Sequence, residues 1–245
     1  MTAGLETLDI PGASPAILLL HEGLGSVSMW RDFPQRLAAA TGRRIVAYSR
    51  RGFGRSVPRE RPYTPRFVHE EAEEVIPALR ERLGLESPVL VGHSTGASMA
   101  LVHAAGSAPV AGVVAMAPLT NVEGSNVESI QRARSLYESS DWRTRLARHH
   151  DDVDAVFYGW NDTWLRPDFR NWNILAEIAR IRAPVLAILG QSDEYSTPSQ
   201  VEAIAENLPR GTRFESLLLP DCGHAPHREQ PEAVLAAVKG FVAAL

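Results

Sequence analysis

The chain has 245 residues, of which 44% are hydrophobic and 22% charged, and this composition is typical of one globular domain. Its single cysteine, Cys222, cannot form an internal disulfide, which excludes disulfide scaffolds and Cys-rich zinc modules. The net charge of -4 gives no electrostatic reason to expect nucleic acid or an anionic membrane as a partner.

Short apolar runs alternate along the chain with longer amphipathic or Ala-rich stretches. This alternation is typical of a mostly parallel sheet with helices on both faces. In chain order, the predicted strands are 16–20, 44–48, 88–91, 110–117, 185–189 and 213–219. The predicted helices are 30–40, 67–83, 95–105, 199–207 and 231–245. The sequence therefore predicts an α/β fold with a mostly parallel, doubly wound sheet.

The interval 120–181 breaks this alternation, because it contains no convincing strand and holds four of the five tryptophans. Ligand pockets are concave and rich in aromatic side chains. We therefore predict a core formed by residues 1–119 and 182–245, with 120–181 as a helical cap. The alternative is a helical insertion whose aromatic side chains only pack against the core. Trp160 and Trp164 lie four residues apart, a spacing that can place both on one helix face, and they are our candidate pocket residues.

Signals for membrane insertion or export are not evident in the sequence. The apolar runs are far shorter than the roughly 20 residues of a membrane-spanning helix. The first ten residues have neither the basic start nor the apolar run of a signal peptide. We expect a soluble, cytoplasmic protein with no membrane partner, and the sequence does not predict its oligomeric state.

The strongest local motif is Gly92-His93-Ser94-Thr95-Gly96, which follows one predicted strand and precedes a predicted helix. This is the G-x-S-x-G nucleophile elbow in the setting that it requires. A sharp strand-to-helix turn presents the serine hydroxyl near the start of the helix, where backbone N–H groups favour developing negative charge. The motif indicates that Ser94 is a nucleophile.

A serine hydroxyl needs a general base, which in turn needs an orienting acid. His224 and Asp193 each follow a predicted strand, so both are expected at the sheet edge that carries Ser94. The order Ser94, Asp193, His224 is the order typical of this type of triad. Glu194, the next residue along the chain, is the rival acid.

Several motifs together resemble those of the α/β-hydrolase family, and the resemblance extends over nearly the whole chain. Besides the elbow, these are the His-Gly-type loop at 21–26 followed by Trp30, the R-G-x-G-x-S turn at 51–56, the G-x-x-D motif at 190–193 and the Gly-His pair at 223–224. The chain resembles the serine hydrolases of the family that carry a cap after the sixth canonical strand.

The resemblance implies a triad of Ser94, Asp193 and His224, and an oxyanion hole made by the backbone N–H groups of Gly23 and Thr95. It also implies a small-molecule acyl substrate and no cofactor or metal. Two positions depart from the family pattern. Glu22 stands where glycine is usual, and either binds a polar substrate group or a water, or turns outward. Ser49 stands where aspartate is common, and we expect it to be structural.

The leading functional interpretation is a serine hydrolase that cleaves a carboxylic ester or thioester. A lactonase or a C–C hydrolase of ring-cleavage products would use the same triad, and a cofactor-free haloperoxidase would use the same serine. Epoxide hydrolases and haloalkane dehalogenases are disfavoured because their nucleophile is an aspartate. A ligand receptor that retains the triad is the alternative from another functional class.

Other histidines are interpreted as structural. We expect His93 to pack within the elbow and His227 to lie at the surface or where the chain approaches a helix. The cluster at 149–152 lacks the spacing of a metal site and is interpreted as the solvated edge of the cap. Cys222 is expected to be a packing residue beside His224.

Overall fold

In the computed structural model, which describes residues 2–245, seven strands form a single sheet. The strands are β1 (Thr7–Ile10), β2 (Ala13–Leu20), β3 (Arg43–Tyr48), β4 (Val89–His93), β5 (Gly112–Met116), β6 (Val185–Gly190) and β7 (Phe214–Leu219). All six predicted strands are present. The prediction missed β1, a short strand whose residues alternate between exposed and partly buried.

The sheet is parallel except at one edge. Its strand order is β1-β3-β2-β4-β5-β6-β7, and only β1 runs antiparallel, against β3. Parallel strands end at the same edge of a sheet, so the loops after β2, β4, β6 and β7 lie together. The predicted α/β fold with a mostly parallel sheet is confirmed.

Helices connect most of the strands. They are α1 (Phe33–Thr41), α2 (Phe67–Glu70), α3 (Ile76–Leu83), α4 (Thr95–Ala104), α5 (Gly124–Ser139), α6 (Trp142–Leu146), α7 (Val153–Leu165), α8 (Leu175–Ile178), α9 (Pro198–Asn207), α10 (Pro226–Glu229) and α11 (Pro231–Ala243). A π-helical turn, Glu71–Val75, joins α2 to α3, so the predicted helix 67–83 is continuous but irregular. The predicted helix 30–40 starts at Phe33, after a 3-10 turn.

Alternate side chains of each central strand enter opposite halves of the core. In β2, Leu18 and Leu20 join the half covered by α2 to α4, α8 and α9. Ile17 and Leu19 join the half covered by α1 and α11. Because both faces are buried, the central strands are the continuous apolar runs seen in the sequence.

Helices α5 to α8 occupy the segment between β5 and β6, which is the predicted insertion. Among the described residues of this segment the only β pairing is an isolated bridge between Asn121 and Asn173. A third apolar cluster joins its helices to the core, and Tyr137 and Phe157 stack within it with ring centroids 3.7 Å apart. The segment is helical as expected, and its role as a separate cap at 120–181 remains a prediction.

None of the helices in residues 2–245 has the length and apolar character needed to cross a bilayer.

The contact between α4 and β2 can be tested with a pair of glycine substitutions. A Cβ on Gly96 would lie 2.1 Å from the Leu20 carbonyl oxygen, whereas a Cβ on Gly240, inside α11, would meet nothing within 4 Å. We expect Gly96→Ala to lower the free energy of unfolding by about 1–3 kcal/mol because the backbones must separate. We expect Gly240→Ala to raise it by up to about 1 kcal/mol, since alanine favours helix. Urea denaturation measures both changes.

A Gly96→Ala variant whose free energy of unfolding lies within about 0.5 kcal/mol of the wild-type value, the range of ordinary surface substitutions, would contradict this close approach.

Candidate active site

Ser94 occupies a strained turn between β4 and α4. Its backbone has φ 54° and ψ -122°, in the left-handed half of the map that non-glycine residues rarely adopt. The turn is possible because its two glycines permit close backbone contacts. A Cβ on Gly92 would lie 2.3 Å from the Gly96 carbonyl oxygen. The Ser94 N–H donates to the Met116 carbonyl of β5 at 2.8 Å, which ties the turn to the neighbouring strand.

The three residues predicted to form a triad are brought together by a chain of hydrogen bonds. His224 Nδ1 lies 2.8 Å from Asp193 Oδ1 and 2.9 Å from Oδ2. Because the carboxylate can only accept, Nδ1 carries the hydrogen. His224 Nε2 is then the acceptor for the Ser94 hydroxyl, with an Oγ–Nε2 distance of 3.0 Å. The arrangement can move a proton from Ser94 to His224.

The Asp193 side chain is inaccessible to solvent. Burial by itself would raise the pKa of Asp193, but the hydrogen bond from His224 and the backbone N–H groups of Tyr195 and Ser196, at 2.8 and 2.9 Å, hold that pKa below its ordinary value. Asp193 is therefore an ionised, rigidly held acceptor. The rival acid, Glu194, is exposed, and it is Asp193 that contacts His224.

The loop after β2 presents Gly23 to the same cavity, and a buried arginine orients it. The Glu22 carbonyl oxygen accepts hydrogen bonds from His21 Nδ1 at 2.8 Å, Arg50 Nη2 at 2.8 Å and the Gly25 N–H at 3.1 Å. The Glu22–Gly23 peptide is trans, so its N–H points away from this carbonyl. The Gly23 N–H is therefore directed away from Arg50.

Thr95, the other predicted oxyanion-hole residue, begins α4 directly after Ser94. Its N–H is one of the first four of the helix, which have no acceptor inside the helix.

A cavity of about 220 Å³ opens beside Ser94 and His224. Its lining includes Glu22, Trp160 and Trp164, the three predicted substrate-binding residues, so Glu22 does not turn outward. Apolar side chains form most of the remaining wall: Leu24, Met29, Leu119, Ile130, Trp142 and Leu146. The cavity can hold an apolar group of moderate size.

Glu22 takes part in a buried polar cluster. One carboxylate oxygen lies 3.4 Å from His93 Nδ1 and the other 3.5 Å from Arg228 Nη2. Burial would raise the pKa of Glu22, but the hydrogen bond to His93 and the charge of Arg228 keep it well below its ordinary value. His93 Nε2 donates to the His224 carbonyl oxygen at 2.6 Å, so this cluster also holds the backbone of His224. Both His93 nitrogens face acceptors, so the hydrogen bond from Nδ1 to Glu22 is made by the doubly protonated ring.

Two expectations about other histidines were wrong. His227 is buried, with its ring 5.0 Å from Trp30 and 5.4 Å from Phe33. His150 is also buried rather than part of a solvated edge. It accepts from the Gly54 N–H and donates to the Leu24 carbonyl oxygen, each at 2.9 Å, and so ties the helical insertion to two core loops.

Arg50 and Arg228 are site residues that the sequence reasoning missed. Arg50 directly precedes the R-G-x-G-x-S turn, and Arg228 follows His224 by four residues. Their nearness to these motifs in the sequence could have indicated that they belong to the site. Ser49, expected to be structural, accepts from the Val27 N–H at 2.8 Å and donates to Glu6 Oε2 at 2.6 Å. Glu6 thereby supplies a carboxylate close to the position where aspartate is common in the family.

Comparisons with known proteins identify the family of the chain. The model of the alpha/beta hydrolase family matches residues 17–237. The chain is 26% identical to an sn-1-specific diacylglycerol lipase of Mus musculus over 268 residues, which cover 96% of this chain and 83% of the relative. It is 23% identical to a proline iminopeptidase of Levilactobacillus brevis, with coverage of 96% and 91%.

Among solved structures, the fold is similar to that of the enol-lactonase from Burkholderia xenovorans LB400, with a TM-score of 0.76 and 22% identity. The match covers 98% of this chain and 96% of that chain, and at this identity it establishes the fold alone. The family match extends over most of the chain and includes the end of β2 and every strand from β3 onward. The chain therefore belongs to the alpha/beta hydrolase family.

Proposed function

We propose that this protein is a serine hydrolase that cleaves a carboxylic ester or thioester of small to moderate size through an acyl-enzyme on Ser94. The observation that carries the proposal is the unbroken chain of hydrogen bonds from Ser94 Oγ through His224 to Asp193, at the wall of an apolar cavity. A serine hydroxyl with an oriented imidazole is the arrangement that acyl transfer requires.

In the first half of the reaction, Ser94 Oγ attacks the carbonyl carbon while His224 Nε2 takes the hydroxyl proton. Asp193 stabilises the resulting imidazolium through Nδ1 and keeps the ring in the reactive tautomer. The tetrahedral intermediate collapses when Nε2 returns the proton to the leaving alcohol or thiol. In the second half, His224 Nε2 takes a proton from water, which attacks the acyl carbon. The bond from that carbon to Ser94 Oγ then breaks, Nε2 returns the proton to Oγ, and the carboxylic acid leaves.

The backbone N–H groups of Gly23 and Thr95 are the proposed oxyanion hole. A pair of such donors stabilises the charge of the tetrahedral intermediate, and loss of one typically costs about 10²–10³ in kcat. Arg50 acts as a positioning residue, because it holds the Glu22 carbonyl oxygen and thereby fixes the opposite orientation of the Gly23 N–H. Trp160 limits the space at this position, since a Cβ on Gly23 would lie 2.4 Å from its Nε1.

The helical segment 120–181 is the proposed cap. Trp142, Leu146, Trp160 and Trp164, all from this segment, cover the apolar side of the cavity. Exclusion of water by these side chains strengthens the electrostatic interactions around the reacting carbonyl. The proposed partner is a small acyl compound, and the proposed location is the cytoplasm.

Replacement of the nucleophile gives the direct test. We expect Ser94→Ala to lower kcat for p-nitrophenyl butyrate by at least about 10³-fold, because the Ser94 hydroxyl is the one that is hydrogen-bonded to His224 Nε2 among residues 2–245. The variant should also lose covalent labelling by a fluorophosphonate probe. The exposed Ser135→Ala on α5 is the matched control and should retain wild-type rates and labelling.

A wild-type protein that resists the fluorophosphonate yet binds an apolar ligand tightly would contradict the hydrolase proposal and favour a receptor. Substantial esterase activity in Ser94→Ala would exclude Ser94 as the nucleophile.

The role of Arg50 can be separated from that of the triad. Arg50→Met removes the donors to the carbonyls of His21 and Glu22, so we expect kcat to fall about 10- to 100-fold with a smaller change in KM. Arg50→Met is made together with Glu71→Gln, because the positive charge of Arg50 stabilises the ionised form of the buried Glu71 carboxyl group. Steady-state kinetics with circular dichroism measures the effect, and Glu71→Gln alone is the control.

Arg50→Lys retains one cationic donor and should recover part of the lost kcat. Equal kcat in a folded Arg50→Met, Glu71→Gln variant and in Glu71→Gln alone would contradict the positioning role.

A further inference from the structure

The lining of the cavity beside Ser94 is chemically mixed. Leu119, Ile130 and Trp164 are among the apolar lining residues, here called the apolar side, whereas Glu22 and Arg228, 3.5 Å apart, form a charged pair, here called the polar side. A purely aliphatic substrate would leave the polar side without a partner. Because buried charged groups are costly unless they are well paired, the contacts of these two residues indicate what else the cavity binds.

The Glu22 carboxylate retains unused capacity to accept hydrogen bonds. Its side chain is 15% exposed, and its contacts to His93 and Arg228 are 3.4 and 3.5 Å long. Charge-assisted hydrogen bonds to carboxylates are normally about 2.7–2.9 Å long, and a carboxylate has about four acceptor sites. Glu22 can therefore accept a short hydrogen bond from a donor that enters the cavity.

Arg228 places a positive charge beside this carboxylate. Its Nη2 donates to the Met29 carbonyl oxygen at 2.7 Å, and its side chain is 26% exposed. The two charges select among ligand groups. An ammonium group would be attracted by Glu22 but repelled by Arg228, and a carboxylate would experience the reverse. A neutral hydroxyl satisfies both residues, because it donates to the carboxylate and accepts from the guanidinium.

The location of the pair indicates which part of an ester carries the hydroxyl. In the proposed mechanism His224 must protonate the leaving alcohol, so the alcohol lies on the side of His224. Arg228 follows His224 by four residues, and Glu22 is joined to the His224 backbone through His93. The acyl chain then occupies the apolar side under Trp160 and Trp164.

We infer that Glu22 and Arg228 form a subsite for a hydroxyl group on the alcohol part of the substrate, and that the preferred substrates are esters of polyhydric alcohols such as glycerol. This inference rests on the proposed function, since the side of the cavity that holds the alcohol is assigned from the role of His224. The reaction proposed at Ser94 is unchanged.

The test compares two esters with the same acyl group and a three-carbon alcohol. Glycerol 1-monobutyrate carries two hydroxyls that propyl butyrate lacks. We expect kcat/KM for the wild type to favour the glycerol ester by about 10-fold or more, the usual effect of a hydrogen bond to a charged group. The butyrate esters of choline and of 3-hydroxypropanoate place an ammonium or a carboxylate on the alcohol part, and we expect both to be poorer substrates than the glycerol ester.

Substitutions then assign the preference to its residues. We expect Glu22→Gln and Arg228→Gln each to lower the ratio of kcat/KM for the glycerol ester to that for the propyl ester, by about 5- to 10-fold. Glu215→Gln is the matched control, because Glu215 is an exposed residue of β7 paired with Arg213. It should leave the ratio at the wild-type value.

Three outcomes would overturn the inference. A wild-type ratio near one would exclude the subsite, and so would a folded Glu22→Gln or Arg228→Gln variant with the full wild-type ratio. A preference for the choline ester or the 3-hydroxypropanoate ester would show that the pair selects a charged group. Failure of the proposed function is distinguishable, because it would appear as no hydrolysis of any ester together with no fluorophosphonate labelling of Ser94.

Discussion

The site depends on the close approach of two backbones, the end of β2 and the start of α4. Gly96 permits this approach, since even a Cβ there would lie 2.1 Å from the Leu20 carbonyl oxygen. The contact brings together the loop that carries Glu22 and Gly23 and the turn that carries Ser94. Since β2 and β4 are neighbouring parallel strands with Leu20 opposite Gly92, their loops already lie side by side, and this contact sets how closely they approach. The side-chain interactions of the candidate site therefore depend on this backbone contact.

Buried polar groups then fix the loops that backbone packing brings together. Arg50 holds the carbonyls of His21 and Glu22, and His150 joins the loop at Leu24 to the turn at Gly54. These bonds help to satisfy the backbone carbonyl and N–H groups of both loops. The same bonds connect the helical insertion to the core, so the wall of the cavity and the loop beside Ser94 are held in one network.

The sequence predicted the central strands because both of their faces are buried, which produces continuous apolar runs. It also predicted Ser94, Asp193 and His224, since short motifs at strand ends require those residue types. The edge strand β1 was missed because a four-residue, half-exposed strand has little hydrophobic signal. The burial of His150 and His227 was not predicted, because burial of a single polar residue in a loop or a four-residue helix depends on tertiary contacts that leave no local periodicity.

Asp193 and Glu22 are two carboxylates near the cavity whose hydrogen-bond surroundings differ. Asp193 accepts bonds of 2.8 to 2.9 Å from His224 and two backbone N–H groups, and its side chain has no solvent exposure. Glu22 has only long contacts and faces the cavity. A fully satisfied carboxylate orients its partner and has little capacity for a ligand, whereas an incompletely satisfied one gains from a ligand donor. The hydrogen bonds that each acid already makes therefore differ in what they permit. Asp193 orients His224, whereas Glu22 can accept a further hydrogen bond from a ligand.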